Sequence, residues 1–207
     1  MRRKLMATVL LLSGICSATT LNAQYAKDDT TYPRCFIGST FFLFGNLAKK
    51  NLPGFVQLNF GYRITGRDVI SIELKTWKYA WSLGIPWGKS YEADEEKFPG
   101  HIREWGFAMV YQRFWWNGLY TGIHVMPAWQ SFVSPQGKKI DKGFHIFNTY
   151  RVGYHFKFFN DLMFFEPSLA VTHRPYHTDM PEGFKKLDDK WSKFFIGEPG
   201  LHFGVNF

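Results

Sequence analysis

Cysteine is almost absent from this chain of 207 residues, in which Cys16 and Cys35 are the only two. Cys16 lies in an N-terminal segment that we expect to be removed, so the mature chain has one thiol and no intramolecular disulfide. A small exported domain without disulfides must be stabilised in another way. The disulfide-rich class of secreted domains is therefore excluded.

Long hydrophobic runs are also lacking after residue 24, where no segment approaches 18 consecutive apolar residues. This excludes transmembrane helices, which need about 20 such residues. The net charge of +8 falls to +5 without the three basic residues of the N-terminal segment. We expect no nucleic-acid binding, because the protein is exported and its excess Lys and Arg lie mostly in predicted loops.

The N-terminal segment MRRKLMATVLLLSGICSATTLNAQ has a basic start, an apolar run from Met6 to Leu12 and small or polar residues before Ala23. This order is typical of a secretory signal peptide, and we predict cleavage between Ala23 and Gln24. About 184 residues then remain, enough for one domain. We predict a signal peptide at 1–23, a periplasmic segment at 24–34 and one folded domain at 35–207.

Aromatic residues are abundant, with 22 Phe, 10 Tyr and 8 Trp. Seven segments alternate apolar and polar side chains with a period of two, the spacing of a strand with two unlike faces. In the segment 54–64, Val56, Leu58 and Phe60 share one face, and Gln57 and Asn59 share the other. The seven predicted strands are 54–64, 69–81, 101–114, 119–132, 144–158, 162–173 and 194–207.

The connections between these strands alternate in length. Short turns at 65–68, 117–118 and 160–161 alternate with long loops at 82–99, 134–142 and 174–193. This is the pattern of outer-membrane barrels, which have short periplasmic turns and long extracellular loops. An even strand number needs an eighth strand from residues 35–48, although Ser39 and the apolar run 41–44 also fit an amphipathic helix on a membrane surface. We predict an all-β, antiparallel, up-and-down transmembrane barrel of eight strands.

The chain ends in FFIGEPGLHFGVNF, in which Phe203, Val205 and Phe207 share one face. This end resembles the C-terminal sorting signal of bacterial outer-membrane β-barrel proteins. The resemblance implies recognition by the barrel-assembly machinery and places the chain near the small barrels, which include OmpW-like and OmpX-like proteins and lipid A-modifying enzymes. It is generic and identifies no single activity.

The inward face of an eight-stranded barrel encloses a space just wide enough for side chains. We predict that charged side chains there form a network that fills the lumen and fixes strand register, with arginine neutralising the carboxylates. Glu166 and Glu198, each followed by proline, are alternative candidates for a general acid/base pair. The predicted network comprises Arg63, Glu73, Lys75, Glu104, Arg151, Glu166, Glu198 and His202, with His124 and His155 beside them.

The segment VTHRPYHTD is the best local candidate for a catalytic site, through His173, His177 and Asp179, with Ser168 as a nucleophile. Small-barrel lipid A enzymes use His with Ser at this level. However, Ser168 and His173 are five residues apart and point to opposite faces of a regular strand. A solvated polar loop is the favoured interpretation, and we predict no metal site and no cofactor.

The favoured function is therefore that of a small, monomeric outer-membrane barrel with a filled polar lumen and a structural or loop-mediated interaction role. Its expected partners are outer-membrane lipids and lipopolysaccharide, besides the assembly machinery. Two alternatives stay open: an enzyme acting on lipid A or phospholipid acyl chains, and a narrow solute channel. A soluble exported β-sandwich is the rival fold.

Overall fold

A computed structural model describes residues 33–47, 52–79, 98–190 and 192–207. The predicted signal peptide, its cleavage site, most of the segment 24–34 and most of the predicted loop 82–99 lie outside these ranges. Within these ranges no helix has the length and apolar character needed to cross a membrane.

The described chain is all-β, with nine strands and two short helices. The helices are a 3₁₀ helix (Phe41–Leu47) and an α-helix, α1 (Glu182–Asp188). The strands are β1 (Cys35–Thr40), β2 (Val56–Arg63), β3 (Asp68–Tyr79), β4 (His101–Trp116), β5 (Leu119–Val133), β6 (Lys139–Tyr154), β7 (Phe156–Phe158), β8 (Met163–His177) and β9 (Phe194–Asn206).

The strands form one antiparallel up-and-down sheet that closes into a ring. Consecutive strands pair from β1 to β6, β8 pairs with β6, β7 and β9, and β9 returns to β1. The closing pair is held by two backbone bonds, from the N–H of Cys35 to the carbonyl of Phe207 and from the N–H of Phe207 to the carbonyl of Cys35. Strands β6 and β7 are separated only by His155, and both pair with β8.

In the segment for which the sequence left a strand or an amphipathic surface helix open, the structure has a strand followed by a short 3₁₀ helix. Cys35 to Thr40 form β1, which pairs with β2 and β9, and the chain then turns into the 3₁₀ helix. Phe41 packs on Phe203 from outside the ring, while Phe42 contacts the buried Phe55. The 3₁₀ helix therefore lies against the sheet at the end of β1. One of its aromatic rings contacts the outer face of the sheet, and the other contacts a buried ring.

The two ends of the ring differ in their connections. At one end, which we call the turn end, lie the links 64–67, 117–118 and 159–162 and the residues Cys35 and Phe207. Asn117 and Gly118 have φ values of 41° and 94°, as the predicted Asn-Gly hairpin requires. The other end, the loop end, carries longer connections. The predicted loop 134–142 is too long, because β6 begins at Lys139, and the predicted loop 174–193 contains the end of β8 and the helix α1.

Alternate side chains along each strand face the interior and the outside, as the period-two pattern predicts. On β9 the buried residues are Gly200, His202, Gly204 and Asn206, and Leu201 faces outward. Small residues make room for the interior groups: a Cβ on Gly200 would lie 1.8 Å from Nη1 of Arg151.

The loop end of the ring is closed by a hydrophobic cap. The connection from β8 to β9 folds back so that Phe184 of α1 packs on Phe132 with ring centroids 5.0 Å apart. Asp188 of α1 pairs with Arg174 of β8, and both side chains are buried. The cap cluster consists of Tyr79, Ile102, Phe132, Met180 and Phe184.

Ring closure predicts a specific crosslink. Ile37 of β1 lies directly opposite Val205 of β9, so an Ile37→Cys/Val205→Cys variant in a Cys35→Ser background is expected to form a disulfide on mild oxidation. Reducing and non-reducing mass spectra of the folded protein measure it. The control pairs Phe60→Cys with Val205→Cys, since Phe60 is also opposite Ile37 but two strands, or about 10 Å, from Val205. Equal crosslinking of both pairs would contradict the β1–β9 register.

Candidate functional site

The interior of the ring holds three carboxylate–histidine pairs at successive levels. Nearest the turn end, Nδ1 of His155 lies 2.6 Å from Oε1 of Glu166, which also accepts a bond of 3.0 Å from Nε2 of Gln112. Midway, Nδ1 of His124 lies 3.2 Å from Oε2 of Glu73. Nearer the loop end, Nε2 of His145 lies 2.9 Å from Oε2 of Glu104.

Glu104 has the most partners of the three carboxylates. Its Oε2 accepts a hydrogen bond of 2.5 Å from the hydroxyl of Tyr79, and its Oε1 accepts one of 3.0 Å from Nε1 of Trp77. Nε2 of Gln130 donates to both the Tyr79 hydroxyl and Oε2 of Glu104, at 2.7 and 3.3 Å. Because Glu104 is only 2 % exposed, these donors replace the water that its carboxylate lost on folding.

The two predicted arginines lie at different levels of the ring. Arg151 donates to Oγ of Ser168 at 2.8 Å, and its nearest carboxylate oxygen, on Glu198, is 3.6 Å away. Arg63 lies at the turn end, with its guanidinium carbon 5.3 Å from the ring centroid of Phe114. Nζ of Lys75 also lies over an aromatic ring, 5.0 Å from the ring centroid of Trp77. Histidine, rather than arginine, is the main partner of the interior glutamates.

The structure does not bring Glu166 and Glu198 together as an acid/base pair. Glu166 lies opposite His202, whereas Glu198 lies opposite Ala170. The four-residue offset along the strands corresponds to about 13 Å. His202 is buried and lines the same interior spaces as Glu73 and His124. Arg63 has the inward parity of Gln57 and Asn59 on β2, so the predicted network residues lie on the inner face of the ring, but two general acid/base carboxylates do not meet there.

The four candidate catalytic residues of the segment 168–179 also do not meet in the structure. Ser168 faces inward and donates a hydrogen bond of 3.3 Å to the Gly200 carbonyl. His173 is on the outer face, where its ring stacks on Phe194 with centroids 4.0 Å apart. His177 donates from Nδ1 to the Thr178 carbonyl at 2.9 Å, and Asp179 is exposed. No described geometry joins a nucleophile of this group to a base.

Several residues of the interior network were not predicted from the sequence. His145 has the same parity on β6 as Arg151 and faces inward for that reason. Trp77 and Tyr79 share the parity of Glu73 on β3, and that parity predicts the interior positions that the structure shows. In the part of the chain that the structure describes, no three His, Cys, Asp or Glu side chains are arranged to hold a metal ion.

Two cavities accompany the network. One of about 70 Å³ lies in the middle of the interior, between Glu73, Lys75, Arg151 and Trp77. A larger one of about 120 Å³ opens at the turn end and is lined by His155, Arg63 and Lys157, among others. The polar groups and the apolar cluster of Ala108, Val110, Met126, Ala128 and Phe147 therefore share the interior with these two cavities.

Comparison with known proteins found no matching family model, no matching curated protein and no matching solved structure.

The buried pair in the cap predicts an asymmetric mutational response. Asp188→Ala leaves Arg174 buried without its carboxylate, which is expected to lower the free energy of unfolding by about 3 to 5 kcal/mol. Denaturant unfolding followed by tryptophan fluorescence measures the change. Asp189→Ala is the matched control, because Asp189 is the adjacent residue and is exposed. A double Arg174→Met/Asp188→Leu variant is expected to recover most of the loss, and equal effects of the two alanine variants would contradict a role for the ion pair.

Proposed function

We propose that this chain is a small bacterial outer-membrane β-barrel of eight strands, in which β6 and β7 count as one strand. The observation that carries the proposal is the distribution of apolar and polar side chains, which is the reverse of the usual distribution in a soluble protein. Outward-facing strand residues are mostly large and apolar, whereas the interior holds glutamates, histidines and glutamines beside one apolar cluster of Ala108, Val110, Met126, Ala128 and Phe147. A soluble monomer rarely exposes such a continuous apolar surface, but a barrel in lipid requires one.

The apolar surface is continuous from strand to strand. Seven outward side chains form a row in which each is the cross-strand neighbour of the next. The row follows the ring from β8 through β9, β1, β2, β3 and β4 to β5, and each side chain is between 37 % and 57 % exposed. These are Met163, Val205, Ile37, Phe60, Ile72, Met109 and Val125.

Aromatic residues lie at both ends of this band. Trp105 and Trp129 stack near the loop end with centroids 4.4 Å apart, and Trp115, Trp116 and Tyr62 lie near the turn end. Amphipathic rings at two levels fit the two interfaces of a bilayer. Short turns face the periplasm in such proteins, so we orient the cap outward. Its exposed lysines, such as Lys185 and Lys186, then face the phosphates of lipopolysaccharide.

Within this proposal the barrel is a structural or loop-presenting protein. Its interior ion pairs and its cap close the path through the ring, which argues against passage of solutes. The separation of Ser168 from His173 argues against an acyl-chain hydrolase built on those residues. The outward Phe203, Val205 and Phe207 are the surface proposed for recognition by the barrel-assembly machinery.

The membrane part of the proposal predicts unequal effects at two equally exposed isoleucines. Ile72 and Ile140 are each 51 % exposed, but Ile72 is in the apolar band and Ile140 is at the loop end of β6. Ile72→Arg is expected to cost about 2 to 4 kcal/mol in a bilayer, and Ile140→Arg close to nothing. Cell fractionation and heat-modifiable mobility in SDS gels report membrane insertion. Full solubility of the native chain in the periplasm, without a mobility shift, would refute the proposal.

The closed interior predicts that the purified protein forms no ion-conducting steps in planar bilayers, measured beside a porin of known conductance. Regular single-channel steps would favour the channel instead. A lipid A mass spectrum that changes when the protein is produced would favour the enzyme, and an unchanged spectrum is expected.

A further inference from the structure

The wall of the ring has a gap between β2 and β9, on the loop-end side of β1. The pairing of β1 with β9 stops at Thr40 and His202, although β9 also includes residues 194–201. Across the gap, residues 56–58 of β2 likewise lie beyond the pairing with β1. Among the described residues, this part of β9 therefore has a strand partner only on its β8 side.

Side chains, rather than a neighbouring strand, satisfy backbone groups at the edges of this gap. Oγ1 of Thr40 donates to the Leu201 carbonyl at 2.9 Å. The side-chain amide of Asn46, in the 3₁₀ helix, bonds both the N–H and the carbonyl of Phe55, at 2.9 and 2.6 Å. A sheet edge that faces lipid needs its polar backbone groups satisfied. The gap is therefore a completed feature of the wall rather than a frayed strand end.

The sequence of β9 also keeps this edge from pairing. The Leu201 carbonyl faces the gap, and backbone groups two residues apart on a strand face the same side, so the nitrogen of Pro199 faces it too. Proline has no N–H to donate to a partner strand. Next to it, Gly197 has a φ of 91° and is skipped in the pairing with β8, which marks a bulge. The proline and the bulge together leave the edge open.

The central cavity of about 70 Å³ borders on this gap. Its lining includes Thr40 and Phe42 from one edge, and Pro199 and Gly200 from the other. Since a cavity of about 150 Å³ holds benzene, this one has room for roughly three non-hydrogen atoms. The cavity therefore fits one small functional group and is too small for a phospholipid headgroup.

Arg151 supplies an unused hydrogen-bond donor to the lining of this cavity. The residue is 7 % exposed, and its Nε has no partner among the described residues. The guanidinium is held in place, because it donates from Nη1 to Oγ of Ser168 at 2.8 Å and packs directly against Gly200. A buried donor without an acceptor costs free energy. The Nε of Arg151 therefore calls for an acceptor oxygen.

The charges on the lining favour a neutral acceptor over an anion. Lys75 and Arg151 are matched in number by the carboxylates Glu73 and Glu198, so the lining has no excess of Lys and Arg that would attract an anion. An entering charge would also lose its water, which costs much more than burying a neutral polar group. A carbonyl oxygen meets the need of Nε without adding a charge.

The part of the lining next to the gap is apolar. Phe42, Phe55 and Pro199 lie there, and the rings of Phe42 and Phe55 are in contact with centroids 5.9 Å apart. Outside the gap lies the apolar outer face of the ring, which faces lipid in the proposed function. An apolar chain therefore finds a continuous apolar path from the outer face to the cavity.

We propose that this cavity binds the neutral carbonyl group, an amide or an ester, of a single-chain acyl compound. The carbonyl oxygen accepts a hydrogen bond from Nε of Arg151, and the chain lies in the gap against Phe42 and Pro199. Entry of the chain from lipid rests on the proposed function, whereas recognition of the carbonyl group by Arg151 does not. The site is a binding site, and no reaction is assigned to it.

Nuclear magnetic resonance of the full chain in detergent micelles tests the site through the signal of Arg151 itself. The chain is labelled with ¹⁵N-arginine, and the Nε–H signal of Arg151 is assigned by its absence from the Arg151→Lys variant. Decanamide and methyl decanoate are added to equal mole fractions in the micelle, beside decane and, at pH 8, decanoate.

The amide, the ester or both are expected to shift the Arg151 signal saturably. Decane is expected to leave it unchanged because it has no acceptor, and decanoate is expected to bind about tenfold more weakly or less. A shift with decanamide alone identifies an amide as the ligand class, and a shift with methyl decanoate alone identifies an ester.

Arg151→Lys keeps the charge but removes the Nε donor, and it is expected to weaken decanamide binding about tenfold. Native mass spectrometry measures the amide that the protein retains. Arg113→Lys is the matched control, because Arg113 pairs with Asp68 at 2.7 Å at the turn end and is not on the cavity lining. Near-ultraviolet circular dichroism confirms that each variant is folded. If Arg151→Lys does not fold, the Arg151 signal is assigned through its side-chain carbons and the titration alone decides.

Four outcomes would overturn the site. These are an Arg151 signal that neither the amide nor the ester shifts, an equal shift by decane, tightest binding by decanoate, and equal retention of decanamide by the native and Arg151→Lys chains. None of them bears on whether the chain is an outer-membrane protein, which heat-modifiable mobility tests separately.

Discussion

The pairing of β1 with β9 is the contact on which the rest of this structure depends. It joins the two ends of the sheet by the reciprocal bonds between Cys35 and Phe207 and continues to Thr40 and His202. A closed sheet has an enclosed interior, and its paired strands have no free edges. Without closure the Glu–His pairs would be solvated groups on an open surface, and the cap would have no opening to cover.

The enclosed interior explains why the carboxylates have so many hydrogen-bonding partners. Burying a charge costs free energy unless hydrogen bonds and opposite charges replace water. Glu104 obtains these from Tyr79, Trp77, Gln130 and His145, and Glu166 obtains them from His155 and Gln112. Each set draws on several strands, so the network ties the strands together and specifies their register.

The two ends of the ring are built for different surroundings. The loop end is closed by apolar packing between Phe132 and Phe184 and by the Arg174–Asp188 pair. The turn end is held by short hairpins and has a cavity lined by Phe114, Trp115 and Trp116, among others. A ring that is closed at one end does not connect its two ends by an open path.

The sequence by itself determined the strand faces, because side-chain direction alternates with a period of two in any strand. From it come the outward Leu58 and Phe60, the inward Glu73, Glu104 and Glu166, and the hairpin at Asn117. The same parity also predicts the inward positions of Trp77 and His145.

Tertiary structure alone decided which interior groups meet. Glu104 contacts His145 and Glu166 contacts His155 because the ring closes with one particular stagger, and a period-two pattern carries no information about stagger. Likewise, the place of α1 in the cap depends on Phe184 reaching Phe132, a contact between residues far apart in the chain. His155 and Asn206 line the same cavity because β9 and the end of β6 meet at the turn end. Local alternation therefore fixed the faces of the strands, and long-range closure fixed the chemistry between them.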